Sequence, residues 1–188
     1  MSKLSSNIKD ILQVLISDEK LMRLLYYKAR NYLDNVLEDN PDNENYRPNI
    51  LNNDKESLFK SGVVNGNPQA KIDIITDRIK SAPKYDDLAD NEKCRLCFYL
   101  GDTTTTGNFV HNDQEVIFDV LTHVEYEEKD FRNSKIIDRL NELLFHRNIT
   151  GVGKFIFTGA SRQEDLVENY TCYRVTYKYG SMMSKGRN

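Results

Sequence analysis

Between Thr122 and Leu140 the sequence THVEYEEKDFRNSKIIDRL sets one histidine and a cluster of carboxylates directly before a helix-patterned segment. Successive side chains of a strand alternate, so His123 and Glu125 share a face, a reasonable start for a metal-ligand pair. Glu127-Glu128-Lys129 matches the E-x-K half of a restriction-type nuclease signature, in which a strand carboxylate and a lysine organise a metal and an attacking water. That chemistry also asks for a metal-binding aspartate on the preceding strand and for E-x-K within its own strand. Here the triplet stands where the strand should already have ended. A metal-dependent nuclease using His123, Glu125, Glu127 and Lys129 is therefore the alternative reading. The leading one is electrostatic: a charged strand-to-helix connection stays solvated, and its acids face the positive end of the next helix. At larger scale Glu125, Glu127, Glu128 and Asp130 come first, and Arg132, Lys135 and Arg139 follow. A subunit that meets its own copies head to tail needs two complementary patches, and opposed charge is one way to set the register. These seven residues are the candidate subunit interface.

Other chemistries find less support. Cys94 and Cys97 have the CxxC spacing but lie in a strand-like run, CRLCFYL, where residues three apart point to opposite faces. Only Cys172 remains to add a thiolate, and a closed zinc site needs four ligands, so buried or half-buried thiols are expected. There is no G-x-S-x-G elbow and no recognisable Cys or Ser partner for His111, His123 or His146. Neither GxxxxGK[ST] nor GxGxxG occurs, and GVGKF reads as the end of one helix and the opening of a strand. GKFIFTGA with Tyr173, Tyr177 and Tyr179 has the makings of an aromatic platform for stacking bases, which keeps an RNA-binding α+β domain as a second alternative. Against it, the second helix of that fold is missing from the order, and Phe155 and Phe157 share one parity as core residues do. No catalytic residue, cofactor or metal is assigned.

The positioning elements follow from length and pattern. A chain of 188 residues fits one domain able to bury a real core. The formal charge of -3, with acids and bases nearly matched, supplies no positive field to gather phosphates, so sequence-specific nucleic-acid binding is not expected. No apolar run approaches a membrane span and no signal-peptide h-region follows Lys3, which points to a product made in the cytoplasm. Residues 1–38 read as a helical segment in two pieces, with stripes at Ile8, Ile11, Leu12, Leu15 and at Leu21, Leu24, Leu25, Ala29, Tyr32, Leu33, Val36. The break falls at Ser17-Asp18, either of which can cap the second helix. Residues 39–70 are asparagine-rich and hold three of the four prolines; they read as an extended arm that docks on a neighbouring subunit. Residues 71–180 read as the core: strands at 71–79, 94–100 and 115–126, a helix at 133–148, and strands at 153–160 and 169–180. Residues 181–188 read as a frayed tail. The fold class is α+β, a mainly antiparallel or mixed sheet covered by helices on one side.

The stretches NIKDILQVLISDEKLMRLLYY, IDIITDRI, VIFDVLTHVEYEEKDFRNSKIIDRLNELL, GVGKFIFTGA and YTCYRVTYKY, taken in order, resemble neck and tail-terminator proteins of tailed bacteriophages. The likeness is strongest from Glu115 to Tyr179 and is one of order and texture. It implies a virion structural role without catalysis: a homo-oligomeric ring at the head–tail junction, six copies being usual for the family, with the tail tube protein and the head connector or adaptor as partners. A weakly acidic subunit suits a ring around a channel that should not hold DNA.

Overall fold

The computed structural model describes residues 4–51, 68–106, 111–150, 153–164 and 166–182. Its sheet has the order β1-β2-β3-β5-β4, with β1 Ile79–Lys80, β2 Cys94–Thr105, β3 His111–His123, β4 Ile156–Gln163 and β5 Tyr170–Met182. Only the β1–β2 pair is parallel; the other three are antiparallel, so the sheet is mixed as expected. Parity sorts the side chains. Leu96 and Phe98 on β2, Val116, Phe118 and Val120 on β3, and Val175, Tyr177 and Tyr179 on β5 form one apolar face. Phe118 stacks on Phe98 at 6.1 Å and meets Tyr177 edge-on at 5.6 Å.

Helices cover that face. In α1 (Leu4–Ile16) Ile11 and Leu15 are buried, and in α2 (Glu19–Tyr26) so are Leu21, Leu24 and Leu25. Asp18 separates them as expected, its Oδ1 accepting from the Leu21 N–H at 2.7 Å. The long α5 (Arg132–Leu144) buries Ile136, Leu140 and Leu144 and crosses β3 and β5. Arg139 of α5 grips the Asp18 carboxylate, tying the two helices together.

Four elements differ from their expected form. Residues 71–79 are mostly helix: α3 spans Pro68–Arg78 and leaves a two-residue strand. Its Ile72-Asp73-Ile74 alternation imitates a strand, but proline suits a first helical turn, and Ile74 and Ile75 side by side pack on the core. The second helix stops at Tyr26, ten residues short of Val36, and α5 stops at Leu144 instead of 148. Strand β3 ends at His123, and Val124–Asp130 form a short helix, α4. Phe131, a non-glycine residue at φ +53°, closes α4 and opens α5.

The asparagine-rich stretch has its own local logic. Asn31, Asn35, Asn40, Asn43 and Asn49 each accept, through Oδ1, the backbone N–H two residues on, at 2.9–3.1 Å. This is a run of Asx turns. As far as Leu51 the segment packs on its own chain: Glu19 accepts from the N–H groups of Ile50 and Leu51, and Tyr27 donates to the Pro48 carbonyl. The rest of the expected arm, residues 52–67, lies outside the described residues, as does the expected tail beyond Met182.

Candidate functional site

The charged corner is a joint between α2, α4 and α5. His123 caps α4, its Nδ1 accepting from the Glu125 N–H at 3.3 Å, with its ring edge-on to Tyr170. Glu125 pairs with Lys129 at 3.2 Å and Lys28 at 3.4 Å, and these two lysines hold its carboxyl below the usual range. Glu127 reaches forward to the Asn133 N–H at 2.8 Å, so it serves the start of α5 from outside that helix. Asn133 completes the joint: it accepts from Thr122 Oγ1 at 2.9 Å and donates to Thr171 Oγ1 at 2.6 Å.

Asp130 and Arg132 sit inside the subunit. Arg132 is fully buried; it forks onto the Asp130 carboxylate at 2.8–3.1 Å and donates to the carbonyls of Leu24 and Tyr27 at the end of α2. Its guanidinium lies 5.3 Å from the Tyr126 ring centroid. The expected surface role is therefore corrected for these two: the end of α2 needs donors for its free carbonyls, and Arg132 supplies them. Reversing either charge would leave its partner buried without a counter-charge. Arg139 is committed to Asp18 and Glu142, and Lys135 leans to Asp130 at 3.4 Å, while Glu128 is exposed. The E-x-K triplet is helical and its groups face separate partners. Among the described residues no three His, Cys, Asp or Glu side chains converge as a metal-binding group.

A polar constellation that the sequence reading missed lies on the opposite sheet face. Asp119 of β3 is fully buried and accepts from Tyr85 Oη at 2.5 Å, Tyr99 Oη at 2.7 Å and Arg174 Nε at 2.8 Å. Burial, and then the hydrogen bond to Asp119, pushes the Tyr99 hydroxyl up to about 12, and Tyr85 rises for the same reasons. Beside it, Arg95 is fully buried and forks onto Asp87 at 2.5 and 2.7 Å, while donating to the Lys84 and Asp77 carbonyls at 3.1 Å. The Arg95 hydrogen bond holds the Asp87 carboxyl well below the usual range. For Asp77 burial works upward, but Lys93, Arg78 and Arg95 outweigh it and the carboxyl is lowered. Together these groups strap residues 81–92 across the sheet over Leu88, Cys97, Leu121 and Cys172. The one available signal was Asp119 itself, a carboxylate in the apolar run VIFDVL.

Cys94 joins the larger apolar cluster while Cys97 and Cys172 join the smaller one. Burial pushes the Cys97 thiol up to about 11 and those of Cys94 and Cys172 up to about 12. Such thiols are poor nucleophiles and poor ligands at neutral pH. On the uncovered part of that sheet face, Glu115, Ser161, Arg174, Thr176 and Lys178 line a shallow hollow of about 370 Å³.

The YomW family model matches residues 18–179. The SPbeta prophage-derived protein YomW of Bacillus subtilis (strain 168) is 31% identical over 185 residues, spanning 96% of this chain and 99% of that protein. Among solved structures, a chain of the "Virion of native gene transfer agent (GTA) particle" aligns with a TM-score of 0.41 at 7% identity, over 62% of this chain and 87% of that chain. At that score the geometry in common is too slight to carry a role from one to the other.

Proposed function

The chain belongs to the YomW family, and from a prophage-derived relative that matches it end to end we propose that it is a structural subunit of a phage virion. In the finer form of the proposal, copies of the chain form a ring at the head–tail junction, as a neck or tail-terminator protein, between the tail tube and the head connector. The observation that carries the reading is the prophage origin of a relative that spans 96% of this chain and 99% of its own length. The internal use of polar groups agrees with it: the charged corner caps and joins helices, and the second constellation straps a loop. The net charge of -3 suits a wall that does not retain DNA. On this reading the protein has no catalytic activity and no cofactor.

Light scattering with negative-stain microscopy of the purified chain tests it. Closed rings are expected. A monomer at every concentration that cleaves DNA with Mg²⁺ or Mn²⁺ overturns the proposal in favour of the nuclease.

A further inference from the structure

Among the described residues, most of the large apolar side chains left exposed fall into two groups, which stand at diagonally opposite corners. The first is the turn after α2. There Tyr32 and Leu33 are 76% and 90% exposed, the least covered large hydrophobics among the described residues. The turn that presents them is rigidly built: Asp34 is buried, accepts from the Arg30 N–H at 2.7 Å and pairs with Arg47 at 2.5 Å, and Asn31 accepts from the Leu33 N–H. The second group is at the opening of β4, where Phe157 on the helix side of the sheet and Phe145, beside Phe155 through a single bridge, are exposed, with Ile156 exposed on the other face. Among the described residues strand β4 has one neighbour in the sheet order, β5, so its outer side is an edge. Between Ile156 and Gln163 it carries neither proline nor lysine, and its guards are a bulge at Phe157/Gly159 and Arg162 near its end.

Their positions follow from the packing. α2 lies against β2 and α3, and Lys28 just beyond it pairs with Glu92, two residues before β2. The Tyr32-Leu33 turn is thus on the β2 side, at the end of the sheet where β5 begins. Ile156 pairs with Lys178 near the other end of β5, on the far flank. Charge follows the same division. Glu38, Asp39, Asp42 and Glu44 lie in the turns that follow Tyr32-Leu33 and outnumber the exposed Arg30 and the buried Arg47, whose guanidiniums reach into the same turns. Around β4, residues 145–163 carry Arg147, Lys154 and Arg162, all exposed, and no carboxylate.

Resting on the proposed ring, we infer that its contact is heterologous: the Tyr32-Leu33 turn with its acidic neighbours, on one copy, docks on the β4 flank of the next. Each copy offers one of each surface, far apart, so the contact repeats instead of pairing off. Opposed charge sets the register, and the two exposed side chains of the turn fill the apolar start of β4. The contact is distinct from the charged corner at Glu125–Arg139, much of which is used within the subunit.

The test uses two surface variants, Leu33→Asp on the turn and the pair Lys154→Glu with Arg162→Glu on the flank. Sedimentation velocity and thermal unfolding are measured for each alone and for an equimolar mixture. Each variant alone is expected to unfold at the temperature of the wild type diluted until it is dissociated, and to need on the order of tenfold or more concentration to self-associate. Mixed, one retains a working flank and the other a working turn, so heterodimers form and growth stops there. Wild-type rings with both variants assembling normally overturn this contact and leave the ring reading intact. Variants that stay monomeric even when mixed overturn it as well. A wild-type chain that is monomeric throughout overturns both, and wild-type filaments blocked by the same variants support the contact while overturning the ring.

Discussion

The two faces of the sheet are held by different chemistry, although they share the same strands. On the helix side, Leu96, Phe98, Val116, Phe118, Val120, Val175 and Tyr177 meet α2 and α5 mainly through apolar surface, with Tyr177 Oη donating to Asn141 and Thr122 Oγ1 to Asn133 at its rim. On the loop side, one residue along each strand, Arg95, Asp119 and Arg174 clamp residues 81–92 through forked ion pairs and tyrosine hydroxyls. Apolar packing is non-directional and tolerates a sliding partner, whereas a buried carboxylate with three donors admits one arrangement. The helix face therefore supplies stability, and the loop face supplies register.

That division is sharpest at two adjacent residues of β3. Phe118→Ala empties a space between Phe98 and Tyr177 and is expected to cost about 3–5 kcal/mol. Chemical denaturation followed by circular dichroism measures it, and a loss below about 1 kcal/mol would mean that the helices close over the gap. Asp119→Ala, one position on, removes the acceptor of Tyr85, Tyr99 and Arg174. Arg174 is partly exposed and can regain water, so the expected cost is lower, about 2–3 kcal/mol. The discriminating readout is local: hydrogen exchange should quicken at the Leu88 N–H, which donates to Tyr85 within the strapped loop, and stay slow in β3 and β5. Uniform quickening would make the two faces one cooperative unit.

The same contrast separates what was legible in the sequence from what was not. Apolar periodicity reads out directly: the parity of β3, the stripe of α5 and the Asp18 break between α1 and α2 follow from residue types alone. The helix state of 71–79 does not, because K-I-D-I-I serves either period and the choice is made by packing against α2 and β2. The early end of α2 hides for a related reason. Tyr32 and Leu33 continue its stripe in sequence, while Asn31 and Asp34 turn the chain away and leave both exposed. At the charged corner the acidic capping role was legible, since it needs only neighbours in sequence. The burial of Arg132 was not, because its carbonyl partners at Leu24 and Tyr27 lie more than a hundred residues away.

The smallest effect concerns the strap's dependence on pH. Asp87 has its carboxyl lowered in the folded chain by Arg95, so its contribution is fully present above the unfolded value of about 3.9 and is lost as pH falls toward the folded value. The amide in the variant Asp87→Asn has no charge to lose. The urea midpoint of the wild type should therefore exceed that of Asp87→Asn by a constant margin from neutral pH down to about 5, and the two should converge below about 4. Phe118→Ala, which changes no titrating group, should instead keep its deficit across the whole range. A margin for Asp87→Asn that persists unchanged into acid would mean that the fork acts by shape and not by charge, and the loop face would then differ from the helix face in geometry alone.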